Sequence, residues 1–176
     1  MSAVTSRPMQ LFFVEFQELY ARHLCRHSQL GINIVHLIAL FGIWYAIYGL
    51  LYLIAGTEWV LFVPALLYLA ALAPNIPMRV LAATTLFMAA ILALAVFVPL
   101  PWWIYLPMLP AFYYLQAWSH KWFTIETDMT EFDRKYTKGT LLFIVLLLYE
   151  VPIVLHFLLT GGAKPAAEPS LHSNNQ

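Results

Sequence analysis

The 176-residue chain is 62% hydrophobic and 10% charged, and its nine Lys+Arg balance nine Asp+Glu. A water-soluble domain carries about 45–50% apolar and about 25% charged residues, so the solvent for most of this chain is lipid. Zero net charge and the lack of any run of like charges exclude a nucleic-acid partner, and the single cysteine, Cys25, excludes an internal disulfide.

Residues 1–7 read as a polar N-terminus. No uninterrupted apolar core follows, because Glu15, Glu18, Arg22 and Arg26 intervene, so no signal peptide is expected and the mature chain is expected to begin at Met1. Residues 8–29 read as one amphipathic helix. Met9, Phe12, Phe13, Phe16, Leu19, Tyr20, His23, Leu24 and His27 recur at steps of three and one, the period of a single apolar stripe, while Glu18, Arg22 and Arg26 mark the polar face. Such a helix lies at the membrane interface or docks on the bundle. Residues 30–160 then form a single transmembrane domain. Its predicted spans are Leu30–Ala55, closed by Gly56-Thr57-Glu58; a short one, Trp59–Ala73, closed by Pro74-Asn75-Ile76-Pro77; Val80–Leu100; Trp102–Trp122, with Pro107 and Pro110 inside; and Thr140–Leu159. Residues 124–139 are the one substantial polar loop, and the Pro/Ala/Ser/Asn tail 161–176 is predicted to be disordered.

The fold class is therefore all-α, a polytopic membrane bundle of about five helices. With five crossings, Arg7, Arg22, Arg26, Arg79, Lys121, Arg134, Lys135 and Lys138 fall on one side and Lys164 alone on the other. That asymmetry places the N-terminus in the cytoplasm, in an inner membrane or the endoplasmic reticulum. Trp59, Trp102 and Trp103 make one aromatic belt, and Trp118 and Trp122 the other.

This topology gathers His23, His27, Asn33, His36, Gln116, His120, Glu126 and Asp128 at the cytoplasmic end, with His156 remote from them. Imidazoles with carboxylates and open positions suit Fe(II) or Zn(II), and two histidines with one carboxylate form the ligand set of non-haem iron oxygenases. His23 and His27, four apart, share a helix face. His27 and His36 can meet only if the chain bends at Ser28 to Gly31, where breakers stand. Asn33 and Gln116 read either as site residues or as interhelical hydrogen bonds. Glu150, a carboxylate near the middle of the last span, is a functional candidate by its position alone, or a protonated acid bonded to a tyrosine or a carbonyl. On the residues alone, an enzyme and a non-catalytic module, either a scaffold or a small transporter, both remain open.

Two patches carry a family resemblance. Tyr20-Ala-Arg-His23, His27, Asn33 and His36 running into Leu37-Ile-Ala-Leu-Phe-Gly42 form the first, and Gln116-Ala-Trp-Ser-His120 with Glu126 the second. Together they resemble the small multispan family that includes the fungal Fe(II)-dependent 2-hydroxy fatty acid dioxygenase. Ser119 stands where that pattern has glycine, and Glu126 follows His120 by six residues rather than about four. The resemblance implies an Fe(II) centre on His27, His36 and His120, with His23 a fourth candidate ligand and Glu126 the carboxylate. It implies oxidative loss of one carbon from a lipid-derived acid, its headgroup near Lys121 or Arg79 and its tail between the apolar spans, with membrane lipid the other expected partner. A zinc-dependent lipid hydrolase with Glu126 or Asp128 as general base is the alternative.

Overall fold

Each junction between apolar stretches carries a residue that cannot continue a helix, and the helices stop there. The structure, a computed structural model, describes residues 15–123 and 139–163. Among these residues there are six helices and no strand: α1 Phe16–Leu24, α2 Leu30–Ala55, α3 Trp59–Leu72, α4 Met78–Phe97, α5 Trp102–Phe123 and α6 Thr140–Thr160. Gly56, at φ 64°, takes the left-handed turn after α2 and donates its N–H to Tyr52 O, and Gly161, at φ 62°, does the same after α6. Pro77 immediately precedes α4, where its missing N–H costs nothing. The expected spans and the observed helices differ at their ends by at most three residues. Glu126 and Asp128 lie outside the described residues, as do 8–14 of the amphipathic segment and most of the expected tail.

Three helices, α2, α4 and α6, are long and apolar enough to cross a membrane. The 14 residues of α3 rise only about 21 Å, short of the ~30 Å hydrocarbon core. The 22-residue α5 has the length, but Trp, Tyr and Pro dilute its apolar character, and it continues unbroken through Pro107 and Pro110. Large apolar side chains such as Phe62, Leu66, Leu86, Phe97 and Phe143 point outward, a surface suited to lipid and not to water.

The central helix is α2, which touches α3, α4, α5 and α6. Its long contact with α5 is made by glycines. Gly31 faces the Phe123 ring, Gly42 the Phe112 ring and Gly49 the Tyr105 ring, and a Cβ at any of the three would enter the ring it faces. Small residues are what allow helices to pack closely where no water drives them together. The opposing Tyr105 is fully buried and its hydroxyl receives the Leu100 N–H at 2.8 Å, so the ring cannot swing aside.

The apolar stripe of α1 is buried as its period requires, through Phe16, Leu19, Tyr20 and His23. It faces α6. Tyr20 Oη lies 3.2 Å from Thr160 Oγ1, and the Phe16 and Tyr20 rings stand edge-on to His156, with centroids 5.4 and 4.5 Å away. His156, expected to be remote from the cluster, packs against Phe16 and Tyr20 and touches none of the cluster's rings. The cause is that α1 docks along the C-terminal half of α6 and does not lie apart from the bundle.

Candidate metal centre

The site begins with a bend. After Leu24 the chain turns on the His23 carbonyl, which accepts the N–H groups of Arg26 and His27 at 3.0 and 2.8 Å. Asn33, fully buried in the first turn of α2, clamps this bend. Its Nδ2 donates to the carbonyls of His27 and Gln29 at 2.7 and 2.8 Å, and its Oδ1 accepts from His23 Nε2 at 2.7 Å. Two donors and one acceptor at one position require a side-chain amide. Asn33 is thus the hinge pin of the α1–α2 junction, which brings His27 back over His36.

Three histidines meet there: His27 from the bend, His36 from the second turn of α2, and His120 from the last turn of α5. One ligand atom from each lies within 4.8 Å of the other two. The ring centroids of His27 and His36, His27 and His120, and His36 and His120 are 4.6, 4.8 and 5.1 Å apart, each pair edge-on. His23 stands behind the trio, stacked on His27 at 4.2 Å with ring planes 6° apart. Because Asn33 occupies its Nε2, His23 supports His27 and points no nitrogen of that side at the cluster.

A hydrogen bond sets the His27 tautomer. His27 Nδ1 lies 3.2 Å from the His23 carbonyl and donates to it, which leaves Nε2 with a lone pair. His36 Nδ1 lies 3.4 Å from Glu150 Oε1. With Nδ1 turned toward Glu150 and Gln116, Nε2 is the His36 nitrogen left to the trio. The Nε2 atoms of both rings are buried and have no hydrogen-bond partner. Glu150 is held in turn by the Gln116 Nε2–H, and Gln116 Nε2 also lies 3.4 Å from His36 Nδ1. Ser119 is buried and closes the same turn of α5 by donating to the Gln116 carbonyl at 2.7 Å.

Burial is the main cause that depresses the pKa of His23 to about 4, with His36, Arg22 and His120 adding to it and the Asn33 bond opposing. His27 is pushed further down, again first by burial and then by the three neighbouring histidines. Both rings are neutral at pH 7, the form in which imidazole binds a metal.

Imidazole nitrogens each about 2.1 Å from one ion in tetrahedral arrangement stand about 3.4 Å apart, so the trio, whose ligand atoms lie within 4.8 Å, closes by up to about 1.4 Å to share one. The residues fit such an ion on two further counts. Two buried nitrogens lack any other partner, and a carboxylate orients one ring from behind, as second-shell acids do for metal-bound histidines. Of the residues singled out in the sequence, the fold brings together His23, His27, Asn33, His36, Gln116, His120 and Glu150.

The bland reading of Glu150, an acid bonded to a tyrosine or a carbonyl, gives way to its pairing with Gln116 and His36. A cavity of about 220 Å³ opens beside His27 between α1 and α6, with Arg22, His23 and Glu150 also in its wall. Among the described residues Arg22 is the cation in this wall, a residue that the sequence assigned only to a polar helix face. Lys121 lines a separate cavity with Tyr114 and Trp118.

Among the described residues, fold and site together define an all-helical protein with three helices long and apolar enough to cross a membrane and a cluster of three histidines, of which His36 is fully buried. No family model matches the chain, and no curated protein or solved structure is similar to it.

Proposed function

We propose that this chain is a membrane-embedded Fe(II)-dependent oxygenase that removes one carbon from 2-hydroxy fatty acids or closely related lipid acids. The observation that carries the reading is the meeting of His27, His36 and His120, from three separate segments, with two buried Nε2 atoms left without partners. An unsatisfied polar atom in such a place is unfavourable by about 1–3 kcal/mol, so an apolar bundle gains nothing by keeping two. Five crossings with a cytoplasmic N-terminus belong to the same proposal. They are supported by the Lys/Arg asymmetry and by the outward-facing tryptophans Trp59, Trp102, Trp103, Trp118 and Trp122. Since Tyr20 touches Thr160, five crossings also require α1 to sit within the depth of the bundle.

Fe(II) held by three neutral imidazoles would supply dioxygen chemistry and open positions for a chelating 2-hydroxy carboxylate. The protein's own part is positioning. Glu150 faces His36 Nδ1 from behind, the His23 carbonyl holds the His27 proton on Nδ1, and Asn33 holds the bend that joins them. The overall change balances with dioxygen as the only co-reactant: a 2-hydroxy acid and O2 give the acid one carbon shorter, CO2 and water. Dioxygen is the four-electron oxidant.

The all-histidine trio favours a second reading. Three histidines with an open position are also the ligand set of catalytic zinc, which would make the protein a lipid hydrolase. One experiment separates the two. Full-length protein in detergent is loaded with Fe(II) or Zn(II), analysed for metal, and given a long-chain 2-hydroxy acid while oxygen and the shortened acid are followed. The expected result is about one iron per chain and oxygen uptake matched to product. Turnover without oxygen would leave the zinc reading, and less than about 0.1 metal per chain from either ion would end both.

A further inference from the structure

A second cavity, of about 370 Å³, lies between α2, α3 and α6 and shares no wall residue with the histidine trio or its supports. It runs from Leu67, 66% exposed on the outer side of α3, inward to Tyr149, which is 1% exposed. Aromatic rings make one wall. Trp44 stands 5.9 Å from Tyr48 and 5.5 Å from Tyr68 between ring centroids, with interplanar angles of 38° and 39°. The backbone of α6 fixes the Tyr68 ring. Pro152 has no N–H to give the Leu148 carbonyl one turn before it, and the Tyr68 hydroxyl donates there instead, at 2.9 Å. At the inner end the Tyr149 hydroxyl is buried without a hydrogen bond. Near it stands the Asn75 amide, which donates to the Ala71 carbonyl at 3.2 Å.

Within a membrane an apolar cavity selects nothing by hydrophobicity, because an acyl chain is already in an apolar solvent. Bilayer chains can fill this space as solvent does, but they bring no oxygen to Tyr149 and no flat face to the rings. We infer that the cavity is a binding site for a lipid-soluble molecule with a planar conjugated ring that carries a carbonyl oxygen, the chemistry of a quinone. Its ring lies against the faces of Trp44 and Tyr68, where offset stacking adds to simple contact. The Tyr149 hydroxyl donates to the carbonyl and so gains the partner it lacks. The volume falls within the about 300–1,000 Å³ of small-ligand sites, so the ring enters whole and any tail leaves over Leu67 into lipid. The site depends neither on the metal centre nor on the reaction proposed for it.

Full-length protein in phosphatidylcholine nanodiscs, which contain no ring lipid, is the material for the test. The probes are 2,3-dimethyl-1,4-naphthoquinone, 2,3-dimethylnaphthalene, which has the same ring skeleton and no oxygen, and cholesterol, whose ring is puckered and carries a hydroxyl. Nanodiscs with and without protein share each probe, the two are separated, and the excess held by the protein is quantified. The naphthoquinone should saturate at about one per chain and bind about tenfold tighter than the hydrocarbon, the worth of one hydrogen bond made away from water. Tyr149→Phe, which removes only the hydroxyl, should bring the two to equal affinity. Ala71→Phe, which fills the cavity, should abolish retention of both.

Equal affinity of the naphthoquinone and the hydrocarbon for the unaltered protein would overturn the proposal without any variant having to fold. A preference for the oxygen that survived Tyr149→Phe would overturn it too, since the hydrogen bond would then lie elsewhere. Retention of cholesterol in place of the naphthoquinone would overturn the planar ring. Retention of none of the three would overturn the site itself and leave the cavity to acyl chains.

Discussion

The two ends of the α2–α5 contact are built on opposite rules. Around Gly49 and Tyr105 the two facing hydroxyls are used: that of Tyr105 takes the Leu100 N–H, that of Tyr45 donates to the Val98 carbonyl, and the glycine leaves the ring the space a Cβ would fill. Around His36 and His120, one or two turns from the other end, imidazoles crowd together and two buried nitrogens are left over. The same pair of helices thus shows that close, satisfied packing was available to this sequence. The histidine end departs from it with two imidazole nitrogens able to bind a cation, while His156 Nδ1 on α6 is buried without a partner as well. Natural sequences break the packing rules chiefly where function requires it.

The sharpest way to break the comparison is to alter each end in turn. His27→Ala deletes one leftover nitrogen and one ligand. Metal content of the loaded protein should fall from about one per chain to below about 0.1, with the melting temperature of the metal-free protein nearly unchanged. If metal-free stability instead collapsed while metal uptake persisted, the histidines would be packing residues.

Acid should strain only the histidine end. The folded-state pKa of His23 is about 4 and that of His27 lower still, both beneath the ordinary 6.5 of an unfolded chain. The unfolded state therefore binds protons that the folded state refuses. Stability is full above pH 6.5 and falls as the pH drops toward 4, by an amount on the order of a few kcal/mol. Thermal melts of metal-free protein across that window should show the loss, and His23→Phe should reduce its pH dependence.

Gly49→Ala works at the other end. The new methyl enters the Tyr105 ring, which is pinned through Leu100, and overpacking of this kind is destabilising by about 1–3 kcal/mol. The melting temperature should drop with metal stoichiometry intact. A variant that lost metal as readily as stability would mean the two ends are one cooperative unit.

The sequence made the helices legible because proline, glycine and charge stand at the junctions, and lipid exposure leaves few other solutions for an apolar run. It also made the trio legible, since His27 and His36 flank the breakers Ser28 to Gly31 and His120 ends α5. What it concealed depends on helix rotation and docking. Whether Gly31, Gly42 and Gly49 face one neighbour cannot be read from spacings of eleven and seven without knowing that α5 supplies rings to meet them. The packing of His156 on Phe16 and Tyr20 was hidden because α1 was expected on one membrane face, and only docking along α6 brings Tyr20 to Thr160. Arg22 looked solvated because a charge opposite an apolar stripe usually is, whereas α6 closes over that side and makes it a cavity wall. Glu150 was legible as a functional candidate but not its partners, which come from α2 and α5.

Glu150→Gln tests the finest point of the contrast, that the histidine end is tuned from behind and not merely assembled. The substitution keeps the shape of the side chain, and its amide can still bond to His36 Nδ1. What it removes is the carboxylate that faces His36 Nδ1 from behind. Loss of a partner behind a metal-bound histidine typically lowers affinity 10–100-fold, and an isosteric amide that retains the hydrogen bond belongs near the lower limit. The expected outcome is about a tenfold rise in the metal dissociation constant, roughly 1.4 kcal/mol, measured by competition with a chelator of known affinity. Glu150→Ala, which removes the acceptor altogether, should lose more. Equal effects from the two would mean that Glu150 holds its neighbours by bulk alone, and that the orientation of His36 comes from Gln116.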